Sequence, residues 1–272
     1  MVVAIVVIVT LAIVYLLTIM PRITPRPMHE FMGWYYAHRG LHDNKTDAPE
    51  NSLKAMRLAV EQGYGIELDV QLTKDEKVVV FHDATLKRVC GVDAAVNSMT
   101  YEELQKLRLL DSNEKIPLFS EVLKVIDGKV PLIMEVKMVN TKTRVCELAN
   151  EELKNYHGVY CMESFHPFAV RWYRKNRPDV VRGQLAANFM KEGQKEGFQE
   201  WLVHMLLINV LGRPDFVAYS HKSANNLSRN LTRKWGAKAV AWTIRSQEEL
   251  DRNQKKFDLF IFEGFRPKEK KE

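Results

Sequence analysis

Residues Trp34–Asp83 read WYYAHRGLHDNKTDAPENSLKAMRLAVEQGYGIELDVQLTKDEKVVVFHD, and this stretch decides the fold. Polar clusters occur along it, each at the end of an apolar run or just after one. They are His38-Arg39, Pro49-Glu50-Asn51, Glu67 with Asp69, and His82-Asp83. Junctions between strands and loops are where barrel and open-sheet enzymes keep their reactive groups. The stretch therefore predicts an α/β enzyme whose site lies at one end of a sheet.

The alternation of residue types predicts which side chains of this stretch share a face. Tyr35–Ala37 reads as a short strand that ends at His38, and Asn51 or Ser52 caps the helix that follows. Ile66–Val70 then alternates strictly between apolar and acidic residues. In a strand of this pattern, the Glu67 and Asp69 side chains project from one face and the apolar side chains from the other.

The next apolar run, Val78–Phe81, follows too soon for a parallel crossover and predicts a β-hairpin. With Asp75 and Glu76 as the loop, Asp69 faces His82 across the ladder, which brings their Cβ atoms within about 5 Å. Two carboxylates and one imidazole then share one patch.

Crowded carboxylates repel each other unless a cation lies between them, and oxygen ligands suit Ca²⁺ or Mg²⁺. When Glu67 and Asp69 are taken alone, a solvated strand face with surface salt bridges explains them better than a cation site does. The histidines and Arg39 nearby favour a functional site.

The ordered set of short motifs resembles the glycerophosphodiester phosphodiesterase family over about Trp34–Pro267, nearly the whole soluble part. The segments that carry the resemblance are His38-Arg39-Gly40, Pro49-Glu50-Asn51, Glu67-Leu68-Asp69, His82-Asp83, Ile116-Pro117-Leu118, Glu121-Val122-Leu123, Glu135-Val136-Lys137, Ser164-Phe165 and Trp242-Thr243. The chain departs from the family at Phe262-Glu263-Gly264, where a Thr-Asp is usual. The resemblance therefore assigns no role to the rim of the site near Glu263.

The resemblance implies a role for each site residue. Glu67, Asp69 and Glu135 hold one divalent cation, Ca²⁺ or Mg²⁺, and His38 and His82 divide the work of general acid and general base. The phosphate is bound by Arg39 and Lys137, although Lys137 pairs equally well with Glu135. Glu50 and Asn51 support these groups, with Glu50 orienting Arg39 and Asn51 capping the helix. Trp242 is either a wall for glycerol or a core residue.

Strands and helices alternate through the rest of the chain and predict a TIM (β/α)8 barrel over residues 34–267. Eight parallel strands are counted when Val78–Phe81 is treated as a hairpin arm. The predicted insertion, residues 84–118, follows the hairpin, and Thr100 begins a helix that runs through Leu110. It either shapes the substrate entrance or is a structural excursion. A further helix is predicted over residues 141–156.

The N-terminal segment, residues 1–21, is predicted to be a retained membrane anchor. Val2–Met20 is uncharged and about 28 Å long as a helix, close to the thickness of a bilayer core. Residues 22–33 follow as a proline-containing linker. By the positive-inside rule, Arg22 and Arg26 favour a soluble domain in the cytoplasm, with a domain translocated outward as the alternative. Residues 268–272 form a charged tail.

The apolar segment Trp201–Leu211 is too short to span a bilayer. It is predicted to be a buried helix over the barrel, with an interfacial helix as the alternative. His204 and Asn209 within it are read as core polar groups whose hydrogen bonds are satisfied, and not as ligands.

The net charge of +6 suits anionic lipid head groups better than nucleic acid, because no basic helix interleaved with aromatic residues occurs. The three cysteines show neither metal-ligand spacing nor a disulfide framework. The leading hypothesis is metal-dependent hydrolysis of glycerophosphodiesters to sn-glycerol 3-phosphate and an alcohol at the cell membrane. The alternatives are a lysophospholipase D and a barrel that binds phosphodiesters or lipids without catalysis.

Overall fold

The computed structural model describes residues 1–268, so the predicted tail beyond Lys268 lies outside the described residues. The strands are β1 (Tyr35–His38), β2 (Gly65–Leu72), β3 (Val78–Val80), β4 (Leu132–Val136), β5 (Tyr160–Ser164), β6 (Arg182–Ala186), β7 (Phe216–Ser220), β8 (Lys238–Ile244) and β9 (Leu259–Phe262). The α-helices are α1 (Val2–Ile19), α2 (Leu53–Glu61), α3 (Lys87–Cys90), α4 (Tyr101–Leu104), α5 (Phe119–Ile126), α6 (Arg144–Leu153), α7 (Pro167–Asn176), α8 (Phe198–His204), α9 (Asn209–Gly212), α10 (Leu227–Lys234) and α11 (Gln247–Asn253).

The predicted TIM barrel is confirmed. Eight parallel strands form a closed ring in the order β1-β2-β4-β5-β6-β7-β8-β9, and β9 pairs with β1 to complete it. Strand β3 lies outside the ring as the antiparallel arm of the hairpin with β2. The carboxyl ends of the eight strands therefore converge on one mouth, where the segments that follow them meet.

Side-chain alternation divides each strand between the barrel interior and the surrounding helices. On β2, Ile66 and Leu68 join the core between the barrel and its helices, so Glu67 and Asp69 point into the barrel. On β4, Ile133 packs in the interior, and Glu135, two residues on, shares its face. The period of two thus places all three acidic side chains inside the ring, near its mouth.

The hairpin register differs by one residue from the prediction. The ladder pairs Leu72 with Val78 and Val70 with Val80, which sets Asp69 opposite Phe81 and not opposite His82. The amide of Phe81 donates to the carbonyl of Asp69 over 3.0 Å. The hairpin loop includes Lys74 in addition to the predicted Asp75 and Glu76. Each extra loop residue shifts the pairing by one position.

The predicted linker is partly built into the domain. Met28 and Phe31 are buried, and they pack with Tyr36 and other interior side chains at the amino ends of the strands. The Tyr36 hydroxyl donates to the carbonyl of Phe31 over 2.8 Å. This segment closes the bottom of the barrel, so the folded domain begins before Trp34.

Helix α1 is long and apolar enough to cross a membrane, a property that signal sequences share. Its C-terminal end is docked on the barrel, where Ile19 is buried. The Asn209 amide donates to the carbonyl of Ile19, and Arg213 donates to the carbonyls of Leu17 and Met20. These bonds satisfy carbonyls that the end of a helix leaves without partners.

The insertion has a small core of its own. Val89 and Leu104 pack with Val79 and Phe81 of the hairpin, apart from the main core. The helix begins at Thr100 as predicted, where Thr100 and Glu103 form a capping box, but it ends at Leu104 and does not continue to Leu110. Leu110 has a left-handed backbone, with φ of 51°, which no α-helix accommodates. The helix predicted over residues 141–156 is also shorter, as the bounds of α6 show.

The prediction of one buried helix over Trp201–Leu211 is wrong. Helices α8 and α9 divide this segment, and Leu206 between them has φ of 57°. Trp201 is 42% exposed. His204 and Asn209 are hydrogen-bonded as predicted, since His204 Nδ1 contacts Glu196 and Asn209 donates to Ile19.

Candidate active site

Three buried carboxylates converge at the mouth of the barrel. Glu67, Asp69 and Glu135 each offer an oxygen, and these oxygens all lie within 4.8 Å of one another. Strands β2 and β4 are neighbours, and Asp69 is directly paired with Glu135 in their register. The juxtaposition predicted from separate motifs is therefore present.

The electrostatics of this carboxylate cluster favour a bound cation. Burial, then the negative charges of Asp69 and Glu135, raise the pKa of Glu67 well above its usual value. Burial opposes ionisation of Asp69 as well, but the Lys137 ammonium and other nearby cations hold its pKa well below normal. Lys137 Nζ lies 3.0 Å from Asp69 and 2.7 Å from Glu135. The Lys137 ammonium thus offsets negative charge on Asp69 and Glu135, but it does not contact the third carboxylate, Glu67.

The donor set fits one hard divalent cation. Two oxygen ligands of one Ca²⁺, each about 2.3–2.6 Å from the ion, lie no more than about 5 Å apart, as these oxygens do. A fourth carboxylate, Glu163, lies behind them on β5, in register with Glu135. Burial and the Glu135 charge raise the pKa of Glu163 well above normal, and its Oε2 has no hydrogen-bond partner within residues 1–268.

Arg39 is held at the cluster by a turn with unusual backbone angles. Its φ is 55° and that of Gly40 is 79°, and a Cβ on Gly40 would lie 2.9 Å from the backbone of Ala55. Glycine is therefore required at position 40. The Arg39 amide donates to Glu67 over 3.1 Å, and its guanidinium donates to Glu50 over 2.7 Å. The bond to Glu50 holds the Arg39 guanidinium beside the carboxylates.

A chain of charged contacts connects Arg39 with His82. Arg88 donates to both oxygens of Glu50 over 2.7 and 2.8 Å, and to Asp83 over 2.7 Å. Asp83 in turn contacts His82 Nδ1 over 2.7 Å. Burial opposes the ionisation of Glu50, but Arg88 and Arg39 outweigh it and lower the pKa of Glu50 to about 2. The insertion thus fixes groups of the site through Arg88.

His38 is oriented by Glu263, which lies in the segment where the chain departs from the family pattern. His38 Nδ1 is 2.5 Å from Glu263 Oε2, and Nε2 is 3.8 Å from Glu67. Arg245 donates to the other oxygen of Glu263 over 2.7 Å. Burial, then the Arg39 charge, lower the pKa of His38 to about 4 although Glu263 opposes them. The neutral ring donates Nδ1–H to Glu263 and keeps a lone pair on Nε2.

Asn51 supports the cluster differently from the prediction. Its amide donates to Asp69 over 2.9 Å, while the neighbouring Ser52 accepts the amide of Ala55 and caps α2. Trp242 lines the mouth, and its ring meets the ring of Phe165 edge-on, with centroids 5.6 Å apart. Trp242 is therefore part of the cavity wall.

Two cavities meet at the carboxylate cluster. One, of about 400 Å³, contains His38, Arg39 and Glu67 in its wall and is bounded by Trp242. The other, of about 610 Å³, is mainly apolar and also reaches Lys137. Both are lined by His82, Glu135, Phe165 and Phe189. The site therefore has a polar compartment and an apolar one, which adjoin each other at these four side chains.

Sequence reasoning missed Glu163 and Arg88 and left Glu263 open. The signal for Glu163 was its position directly before Ser164-Phe165, with Cys161 two residues earlier on the interior face. Arg88 lies in the insertion, and Glu263 reaches His38 only because β9 closes the ring against β1, pairing Phe262 with Ala37.

The comparisons with known proteins agree with this geometry. The glycerophosphoryl diester phosphodiesterase family model matches residues 38–259. A glycerophosphodiester phosphodiesterase of Caldanaerobacter subterraneus is 30% identical over 229 residues, covering 79% of this chain and 87% of the relative. A lysophospholipase D of Rattus norvegicus is 32% identical over 150 residues, covering 50% of this chain and 46% of the relative.

Among solved structures, an Oleispira antarctica phosphodiesterase in complex with sn-glycerol-3-phosphate aligns with a TM-score of 0.71 and 23% identity. The alignment covers 87% of this chain and 95% of that one. Fold and comparisons together define a hydrolase built on a TIM barrel. The chain belongs to the glycerophosphoryl diester phosphodiesterase family.

Proposed function

We propose that this protein hydrolyses glycerophosphodiesters to sn-glycerol 3-phosphate and an alcohol, with one divalent cation held by Glu67, Asp69 and Glu135. The observation that carries the proposal is the convergence of three buried carboxylate oxygens within 4.8 Å, beside Arg39 and Lys137. Ca²⁺ and Mg²⁺ both suit an all-oxygen ligand set. When bound, such a cation polarises a phosphoryl oxygen and neutralises charge on the phosphodiester.

The cationic side chains bind the phosphate. Arg39 presents a planar guanidinium whose orientation is set by Glu50, and planar forks match phosphate oxygens well. Lys137 adds a point charge from the opposite side of Asp69. Both side chains are mostly buried, so their attraction for an anion is screened little by water.

The two imidazoles divide the proton transfers. His38 is the general base, because its ring is neutral and the Nε2 lone pair faces the cluster while Glu263 holds Nδ1. His82 is the general acid that protonates the leaving alkoxide, and its Nδ1 contact with Asp83 supports the positive charge of a proton donor. The nucleophile that His38 deprotonates is either the glycerol 2-hydroxyl or water.

The experiment compares turnover of glycerophosphocholine by the full chain in detergent with and without EDTA. His38→Ala and Glu67→Ala are expected to abolish turnover while the thermal unfolding transition persists. Glu248→Ala, an exposed carboxylate on α11, is the matched control and keeps full activity. Undiminished turnover in EDTA, or in Glu67→Ala, would contradict the proposal.

A second activity, that of a lysophospholipase D, is favoured by the apolar cavity. Its volume is about 610 Å³, and Met138, Phe168, Leu202, Val203 and Ile208 line it beside His82 and Glu135. An acyl chain fits such a lining, whereas choline or glycerol does not need it. Leu202→Trp, which fills the cavity, is expected to lower turnover of lysophosphatidylcholine and to spare glycerophosphocholine. Equal loss for both substrates would argue against this activity.

We further propose that α1 anchors the protein in a membrane, with the barrel on the cytoplasmic side. The helix is apolar throughout and its C-terminal end is bonded to the barrel, which supports an anchor that is retained. Arg22 and Arg26 follow the helix, although both also contact Asp215 of the barrel. Protease accessibility of the barrel in sealed vesicles of known orientation tests the side.

A further inference from the structure

Helix α1 and helix α10 run in the same direction along the side of the barrel. The Tyr15 hydroxyl lies 2.7 Å from Ser228 Oγ, in the first turn of α10. At the end of α1, the Ile19 carbonyl accepts from Asn209, and the Arg22 amide just beyond it donates to Pro214, two residues before β7 begins. Because α10 leaves the carboxyl end of β7 and returns to the amino end of β8, both helices descend from the mouth to the bottom.

The free part of α1 therefore projects beyond the mouth of the barrel. Residues 2–14 are all exposed, and contact with the barrel begins at Tyr15. At 1.5 Å per residue, these thirteen residues extend for about 20 Å. A membrane that contains α1 must accordingly lie on the side of the barrel where Glu67, Asp69 and Glu135 are clustered.

The length of the free part also fixes how close the mouth comes to the lipid. A bilayer core is about 30 Å thick, so about 10 Å is missing when only residues 2–14 are immersed. The docked residues 15–19 add about 7.5 Å of helix, most of the missing length, and the Leu16 and Leu17 side chains among them are exposed on the face away from the barrel. Immersion of that turn brings the mouth down to the membrane interface.

Exposed apolar side chains are concentrated on the same side. Beyond residues 1–19, the exposed large apolar residues of the described chain, which ends at residue 268, are Ile23, Val139, Met190, Phe198, Trp201, Val210 and Leu227. Five of these follow the carboxyl end of a barrel strand and form what we call the apolar rim: Val139, Met190, Phe198, Trp201 and Leu227. The rings of Phe198 and Trp201 stack with centroids 6.1 Å apart.

The rim is continuous with the helix that would enter the bilayer. Leu227 adjoins Ser228, the residue that Tyr15 contacts, and α8, which carries Phe198 and Trp201, lies in the same crossover as α9. Aromatic side chains are favoured at the boundary between head groups and acyl chains. Water would otherwise surround Phe198, which is 73% exposed.

We infer that the catalytic mouth faces the phospholipid bilayer and that the apolar rim inserts into its interface. This inference rests on the proposed anchoring by α1. It means that the site opens toward substrates dissolved in the membrane, and it places the apolar cavity next to the acyl chains. The bottom of the barrel, closed by Met28 and Phe31, faces the aqueous phase.

The test uses the full chain with Cys90→Ser, in which the remaining native cysteines are buried. Phe198→Cys or Leu227→Cys places an environment-sensitive label on the rim, and Asn155→Cys places it at the opposite end, between α6 and β5. Each labelled protein is reconstituted into phosphatidylcholine vesicles that contain doxyl-labelled lipid. We expect fluorescence to be quenched at both rim positions and to be unchanged at position 155.

Quenching at position 155 equal to or greater than that at the rim would overturn the inference, as would absence of quenching at both rim positions. Quenching reports orientation whether or not the protein is active. Absence of glycerophosphocholine turnover by the wild-type chain would instead count against the proposed function. Failure of the inferred orientation and failure of the proposed function are therefore distinguishable.

Discussion

Glu263→Gln is expected to slow turnover by changing the tautomer of His38. In the native site, Glu263 accepts from Arg245 with one oxygen and from His38 Nδ1 with the other, over 2.5 Å. Arg245 is only a donor, so a glutamine at position 263 must turn its amide oxygen toward Arg245. Its NH2 group then faces His38, and Nδ1 has to accept. The proton moves to Nε2, where the general base needs a lone pair.

The magnitude follows from the charge-assisted bond between His38 Nδ1–H and the Glu263 carboxylate, which glutamine replaces with a neutral bond of reversed direction. A hydrogen bond to a charged group contributes about 1.5–3 kcal/mol, and at about 1.4 kcal/mol per factor of ten this predicts a 10- to 150-fold decrease in kcat. KM should change little, because Glu263 does not contact the proposed phosphate ligands. The assay is steady-state release of sn-glycerol 3-phosphate from glycerophosphocholine.

The matched control is Arg245→Gln, which leaves the carboxylate at position 263 free to accept from His38. Its kcat should stay within a few-fold of that of the wild type. Wild-type kcat in Glu263→Gln, or an equal loss in both variants, would refute the role assigned to this residue.

Three further predictions concern the supports of the site and of the barrel. Glu50→Gln should flatten the pH dependence of stability: the low pKa of Glu50, about 2, contributes stability above pH 4.5 that is lost as pH falls toward 2. The contribution is about 3 kcal/mol, and urea unfolding in detergent across this range measures it. An unchanged acid slope would contradict the charge network. Asn51→Leu removes the amide that contacts Asp69 and should weaken cation binding about 10- to 100-fold, measured by calorimetry. Native affinity would show that Asn51 does not support the ligand. Phe31→Ala opens the bottom of the barrel and should lower the free energy of unfolding by about 3–5 kcal/mol. A loss below about 1 kcal/mol would mean that this segment only covers the barrel, because emptying a packed core site costs more.

The fold was predictable because its signals are local. Strict alternation at Ile66–Val70 and the recurrence of apolar runs specify strands, and the short link to Val78 specifies a hairpin. The register was less accessible, because one loop residue decides which side chain faces Asp69. The continuous helix over Trp201–Leu211 was wrong because apolar composition does not reveal the left-handed backbone at Leu206.

The candidate site was likewise predictable only where its signals are local in the sequence. The carboxylate cluster was predictable from motifs that each lie at a strand end. Glu263 acquires its contact only through closure of the ring, and Arg88 only through the packing of the insertion on the hairpin. Asn51 was assigned to the helix cap because Asn and Ser are both good caps, and only the structure distinguishes Ser52 as the residue that caps α2.

Calorimetric titration of Ca²⁺ and of Mg²⁺ into the chelator-treated full chain tests the central claim most directly. We predict binding of one ion per chain, loss of that binding in Glu135→Gln, and recovery of turnover over the same range of ion concentration. Full turnover by a chain that binds neither ion would contradict the claim that Glu67, Asp69 and Glu135 act together on one cation.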